Sequence, residues 1–214
     1  MKKISLFVYD FDGTLVDTFA DIANSVNLAL AEMDIKPLSQ ETIRRNIGSG
    51  VINLMTRSLE GSGCGDVEMA VSFFQKHYNN HLLDQTKFYP NGKKIVEHFS
   101  EKKNAILSNK PISFIKKILT ELNFLSPFDS VLGGDSLSKR KPNPMGLQFL
   151  MKDLNCPAKE VLMIGDSAID IETGKHAGVI TCGVTYGLGD PISLYNSKPN
   201  YLIDNLSNLK SLFN

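Results

Sequence analysis

Three things are scarce in this chain of 214 residues, and each scarcity narrows what it can do. Charge of one sign is missing: Lys plus Arg and Asp plus Glu each total 23, for a formal net charge of +0. A nucleic-acid binder normally carries a basic surplus to neutralise phosphates, so that class is disfavoured unless a local patch exists. Cysteine is limited to Cys64, Cys156 and Cys182. An odd number, widely spaced, with no CxxC and no Cys/His ligand spacing, indicates neither a disulfide framework nor a zinc site. Long apolar runs are missing too. The opening MKKISLFVYD reaches a charge after a few residues, too soon for a signal segment, and no later stretch approaches a membrane span. These absences lead us to expect a reduced, cytoplasmic protein with neither nucleic acid nor membrane as partner, free to be a monomer or a homodimer.

What is present is a good core. With 42% hydrophobic residues, the chain can bury one large core and a smaller subdomain. Short apolar runs predict strands at Ile4–Tyr9, Ala105–Leu107, Ser130–Leu132, Val161–Ile164, Thr181–Val184 and Tyr201–Ile203. Most lack strict alternation, as expected where helices cover both faces of a sheet. Helical periods lie between them: Ile95, Val96 and Phe99; Ile112, Ile115, Ile118, Leu119 and Leu122; Leu147, Leu150, Met151 and Leu154. Alternating strands and helices predict a Rossmann-like α/β core, a parallel sheet with right-handed crossovers.

Residues 17–87 break this rhythm. Phe19, Ile22, Ala23, Val26, Leu30 and Met33 make one helical stripe, Thr42 to Leu59 a second, and Val67, Val71, Phe74, Tyr78 and Leu82 a third. A helical insertion of this length is too long for an ordinary connection. We expect an α-helical cap over 17–87, with residues 1–16 and 88–214 forming the core.

The chemistry gathers at strand ends. Asp10 and Asp12 follow the first run in DFDGTLVD, and side chains two apart in a strand share a face. Their repulsion calls for a cation or a shared proton. Ser108 and Asn109 follow the second run, Lys141 lies in KRKPNP after the third, and Asp166, Ser167 and Asp170 follow the fourth. In an open parallel sheet these carboxyl ends are where ligands bind. Such a set suits phosphoryl transfer, with Mg²⁺ taking carboxylates and phosphate oxygen while Lys141 and Ser108 hold the remaining oxygens. At about 4 Å and an effective dielectric of 20, two unit charges interact by roughly 4 kcal/mol, enough to decide whether a phosphate dianion can approach a carboxylate. An EF-hand loop starting at Asp10 fails, because Leu15 and Asp21 stand where glycine and glutamate are required. Asp166 as a simple helix cap, or Lys141 as a solvated loop charge, explains each residue alone but not the set.

DFDGTLVD, the Ser108-Asn109-Lys110 triplet, Lys141-Pro142-Asn143-Pro144 and GDSAID, in this order, resemble the four motifs of the haloacid dehalogenase superfamily, and the insertion after the first resembles its subclass I cap. Asn46 to Gly50 with Arg57, Phe88 to Gly92, His176-Ala177-Gly178 and Gly183 to Gly187 are most similar to the phosphoglycolate phosphatases of that superfamily. The resemblance implies a nucleophile at Asp10, an acid–base residue at Asp12, Ser108 and Lys141 on phosphate, and Mg²⁺ on Asp10, the Asp12 carbonyl and Asp166. Ser167 and Asp170 would support from behind, and Thr14 and Asn109 would add substrate contacts.

Within the cap, the Gly48-Ser49-Gly50 turn would offer N–H groups to a substrate anion and Arg57 would take a carboxylate. His77 and His81 are expected to face solvent, as is His98. The small phosphorylated metabolite is expected to be 2-phosphoglycolate. A pyrophosphatase, a nucleotide or sugar-phosphate phosphatase, and a β-phosphoglucomutase-like phosphotransferase share the scaffold, although DTFAD after the first motif carries no histidine of the mutase kind. A dehalogenase would not need Asp12. A phosphoacceptor regulatory module would not want Asp12 as a built-in base.

Overall fold

The computed structural model describes residues 3–213. From the N-terminus come β1 (Leu6–Tyr9), β2 (Val16–Asp17), α1 (Phe19–Glu32), α2 (Gln40–Asn46), α3 (Val51–Ser58), α4 (Val67–His81) and β3 (Lys87–Phe88). They are followed by α5 (Gly92–His98), β4 (Lys103–Leu107), α6 (Ile112–Glu121), β5 (Ser130–Leu132), α7 (Met145–Asp153), β6 (Val161–Gly165) and α8 (Ala168–Ala177). The chain closes with β7 (Ile180–Val184), α9 (Pro191–Asn196), β8 (Tyr201–Ile203) and α10 (Leu209–Leu212).

The six apolar runs make one sheet in the order β5-β4-β1-β6-β7-β8, every neighbour parallel. Their lack of alternation has the expected cause. Phe7 and Tyr9 of β1 sit in the core cluster on one face, while Leu6 and Val8 sit in the cluster on the other, all fully buried. Burying side chains of this size stabilises by roughly 1.5–3 kcal/mol each. The order places β1 in the interior, between β4 and β6, so its terminal carboxylates stand between Ser108 and Asp166.

The helical segment is suspended from a ribbon. β2 and β3 pair antiparallel, Val16 with Phe88 and Asp17 with Lys87, so both connections to the helices cross at one place. Asp21 of α1 is buried and braces that crossing, accepting from the Gln85 N–H at 3.0 Å, the Thr86 N–H at 2.9 Å and the Thr86 hydroxyl at 2.7 Å. Two strands of two residues each carry too little pattern to be read in advance.

Two expectations for the helices need correction. The stripe over Thr42 to Leu59 is two helices, α2 and α3, because Gly48 and Gly50 take φ of +110° and +89°, which no α-helix accommodates. His77 is not simply solvent-facing: its Nε2 lies 2.7 Å from Glu32 Oε1 of α1, where Lys76 Nζ also reaches at 2.8 Å. α1 and α4 lie against each other along this seam, which half-buries the ring. His98 is exposed, as read, with its ring edge-on to Phe99. Among the described residues no helix is long and apolar enough to cross a membrane.

Candidate active site

β1 ends at Tyr9, and the Asp10 N–H donates to Ile164 O at 2.8 Å, the last tie to the sheet before the chain turns. Asp10 Oδ1 then accepts from the Phe11 N–H at 2.7 Å and lies 2.8 Å from Lys141 Nζ. The same ammonium donates to Asp170 Oδ1 at 2.5 Å. Asp166, just past β6, is held through Oδ2 by the N–H groups of Leu188 at 2.6 Å and Gly189 at 2.9 Å, and through Oδ1 by the Thr14 hydroxyl at 3.3 Å. Oxygens of Asp10, Asp166 and Asp170 all lie within 4.8 Å of one another. Gly13, at φ +86°, is what lets the turn pass so close, since a Cβ there would overlap the Asp166 carboxylate.

Charge does not balance in this cluster. Three carboxylates face one ammonium, leaving an excess of about two negative charges in a buried space. Burial, with repulsion from Asp170 and Asp166, pushes Asp10 up to about 7 despite Lys141. Burial and Asp170 push Asp166 up to about 6. Burial alone would strip Lys141 of its proton, but Asp10 and Asp170 outweigh it and hold the ammonium charged. A donor set made only of oxygen, short of about two positive charges, fits a hard divalent cation and no soft one. Both oxygens of Asp170 are already engaged, Oδ1 by Lys141 and Oδ2 by the Ser167 hydroxyl at 2.7 Å and N–H at 3.1 Å in a capping box on α8. It therefore orients Lys141 and, with Ser167, starts α8.

Asp12 stands apart. The expectation that Asp10 and Asp12 share one face, and so one cation or proton, does not hold for the side chains. The strand stops before them and the turn sends the second carboxylate elsewhere. Asp12 Oδ1 accepts from the Thr18 hydroxyl at 2.6 Å and from Lys110 Nζ at 2.9 Å. Repulsion between neighbours is relieved by giving each its own lysine.

Between the two carboxylates and the helical segment lies a cavity of about 80 Å³. Asp10, Asp12, Ser108, Lys110, Asp166 and Ser167 line its floor, and Ile22, Ile47, Gly48, Gly50, Val51, Leu54, Phe74 and Tyr78 its roof. A larger surface groove between α4 and the start of α6 lacks all of these acidic residues.

Two substrate-contact expectations change, at Thr14 and Arg57, and Asn109 has a further task. Thr14 is fully buried and committed to Asp166, its carbonyl accepting the Tyr186 hydroxyl at 2.7 Å, so it braces a carboxylate and does not meet substrate. Asn109 spends its amide on backbone: Nδ2 donates to Gly48 O at 3.0 Å and Lys141 O at 3.1 Å, and Oδ1 accepts from Lys141 N at 3.0 Å. It fixes the Lys141 loop, touches the Gly48 turn and still lines the cavity. Arg57 is exposed on α3 and lies outside the cavity lining, because Val51 and Leu54 present the inward side of that short helix. Gly48 does line the cavity, and Ser108, nearly buried, keeps its hydroxyl proton free while accepting weakly from the Lys110 N–H at 3.4 Å. Lys110 itself went unread. A lysine at a strand's carboxyl end, directly before a proline that opens a helix, was the signal for it.

The model of the haloacid dehalogenase-like hydrolases matches residues 7–184. A phosphoglycolate phosphatase of Colwellia psychrerythraea is 34% identical, covering 98% of this chain and 96% of that protein. One from Haemophilus influenzae is 32% identical and covers 98% of each. Among solved structures, a predicted phosphoglycolate phosphatase from Haemophilus somnus superimposes with a TM-score of 0.94 at 28% identity, over 99% of both chains.

Proposed function

This chain belongs to the haloacid dehalogenase-like hydrolases, and from that premise we propose that it is a Mg²⁺-dependent phosphatase of small phosphate monoesters, 2-phosphoglycolate first among them. The observation that carries this reading is the cluster of three carboxylates around Lys141, of which Asp10 and Asp166 line the cavity. The domain division that goes with it is a core of residues 1–16 and 88–214 under a cap of 17–87, the β2–β3 ribbon being the hinge between them.

Asp10 is the nucleophile. One of its carboxylate oxygens bonds to phosphorus as the ester P–O bond breaks, and the proton carried by Asp12 goes to the departing oxygen. Asp12 then takes a proton from water, whose oxygen attacks phosphorus, and the Asp10 carboxylate leaves with inorganic phosphate released. Lys141 and the Ser108 hydroxyl hold phosphoryl oxygens through both steps. A hard cation held by Asp10, Asp166 and the Asp12 carbonyl would supply the charge that lets a dianion approach Asp10.

The substrate assignment rests on the relatives' names. Phosphoglycolate is a small ester, and the roof it would face is lined by apolar side chains of the helical segment. Its carboxylate would meet the cap turn at Gly48 and Gly50, where the first N–H groups of α3 have no helical partner, and not Arg57. The experiment is a panel of phosphometabolites at equal concentration with Mg²⁺, read as released phosphate. Preference for phosphoglycolate is the expected result. Release from no monoester overturns the phosphatase reading, and preference for a bulky nucleotide overturns the substrate.

A further inference from the structure

Lys110 is a buried ammonium that the hydrolytic scheme does not use. It is 7% exposed and touches two partners from different parts of the molecule. Nζ donates to Asp12 Oδ1 at 2.9 Å and to the Tyr78 hydroxyl at 2.7 Å, and it sits 4.5 Å from the centre of the Tyr78 ring. Asp12 lies on the sheet side, whereas Tyr78 lies on α4 of the helical segment. Burying an isolated ammonium is expensive, so the position persists only while both partners are in place. Tyr78 is itself locked, stacked on Phe74 and edge-on to Phe114.

The consequence for Asp12 is orientation. Thr18 and Lys110 both engage Oδ1, while no donor reaches Oδ2 among the described residues. An oxygen that already accepts two hydrogen bonds, one of them from a cation, is a poor place for a proton. The exchangeable proton of Asp12 therefore belongs on Oδ2.

We propose that Lys110 is a positioning residue, which holds Asp12 with Oδ2 toward the cavity and does so only while Tyr78 of the helical segment is seated on it. This deepens the reading of Asp12 as acid and base and rests on it. The adjacent Asn109 makes the parallel link, joining Gly48 of the cap turn to the backbone of Lys141. One dipeptide thus connects the seating of the helices to both charged groups that act on the phosphate. Closure and assembly of the site become one event.

The test compares an ester whose leaving group needs a proton, phosphoglycolate, with one that does not, p-nitrophenyl phosphate, in Mg²⁺. Lys110→Met is expected to lower kcat/KM, which reports only the steps up to release of the alcohol, about 100-fold for phosphoglycolate and less than about 5-fold for p-nitrophenyl phosphate, since the contribution lost in that step is general acid catalysis. Tyr78→Phe keeps the ring and removes only the hydroxyl, so it serves if Lys110→Met fails to fold. It is expected to discriminate in the same sense by about 5-fold, and to add nothing in the double variant, since both act through one ammonium. Equal losses for the two esters in both variants overturn the proposal. Asp12→Asn separates the layers: if it discriminates and the Lys110 and Tyr78 variants do not, only the link fails. If it lowers kcat/KM of both esters alike, the acid role of Asp12 fails and the link with it.

Discussion

Two carboxylates two positions apart in the sequence, Asp10 and Asp12, stand in opposite electrostatic settings. Asp10 sits with Asp166 and Asp170 around a single lysine, a cluster about two charges too negative. Asp12 sits with a lysine of its own, and the account closes at zero. The lesson is that charge balance distinguishes what a protein completes by itself from what it leaves for a ligand. The first cluster is stable only with a cation or with protons on its oxygens. The second needs nothing from outside, being bonded to Thr18 and Lys110. One is a receptor for charge and the other is a fixed tool.

The comparison breaks most severely at the nucleophile. Asp10→Asn is expected to lower kcat by about 10⁴-fold or more, because the covalent route is lost, while leaving the fold intact since a carboxylate that repels its neighbours is removed. Released phosphate and a thermal melt check the two halves of that statement. Next in size is Thr14→Val, which removes the hydroxyl from Asp166 Oδ1. Outer partners of a ligand typically contribute about 10–100-fold in metal affinity, so the Mg²⁺ concentration for half-maximal activity should rise by that order.

Titration sharpens the contrast. In chelated protein, Asp10 and Asp166 bind protons in the folded state at about 7 and 6, well above the unfolded value of 3.8. Stability from these groups is therefore full below about pH 4 and lost as pH rises through about 6 to 7. Melting temperature in EDTA should fall across that window relative to Asp10→Asn, and Mg²⁺ at 100 times its Kd should restore about 2.7 kcal/mol at neutral pH. A Mg²⁺ effect of equal size at pH 4 and pH 8 would contradict the cluster's role. The smallest change is expected at Arg57→Ala. An exposed side chain outside the cavity should leave KM within about 2-fold, as surface changes stay within about 0.5 kcal/mol.

Much of this was legible in advance. Six apolar runs became six strands because sheet burial on both faces leaves a local signature in composition. Ser130–Leu132 and Tyr201–Ile203 match to the residue, and β1 is shorter than its run by two residues. Asp10, Lys141, Asp166 and Asp170 were recoverable because each follows a strand, and in a parallel sheet strand ends converge. The break at Gly48 to Gly50 was marked by the glycines themselves, even though the hydrophobic stripe continues across it.

Chain order and local periodicity alone determined that this protein has a parallel sheet, an inserted run of helices, and an acidic site at the strands' carboxyl ends. Partner choice belonged to the tertiary structure: Thr14 to Asp166, Asn109 to Lys141 and Gly48, Lys110 to Asp12 and Tyr78. The physical reason is range. A strand or helix answers to neighbours a few residues away, whereas a polar side chain in a buried space pairs with whichever donor the packing brings within about 3 Å, at any distance along the chain.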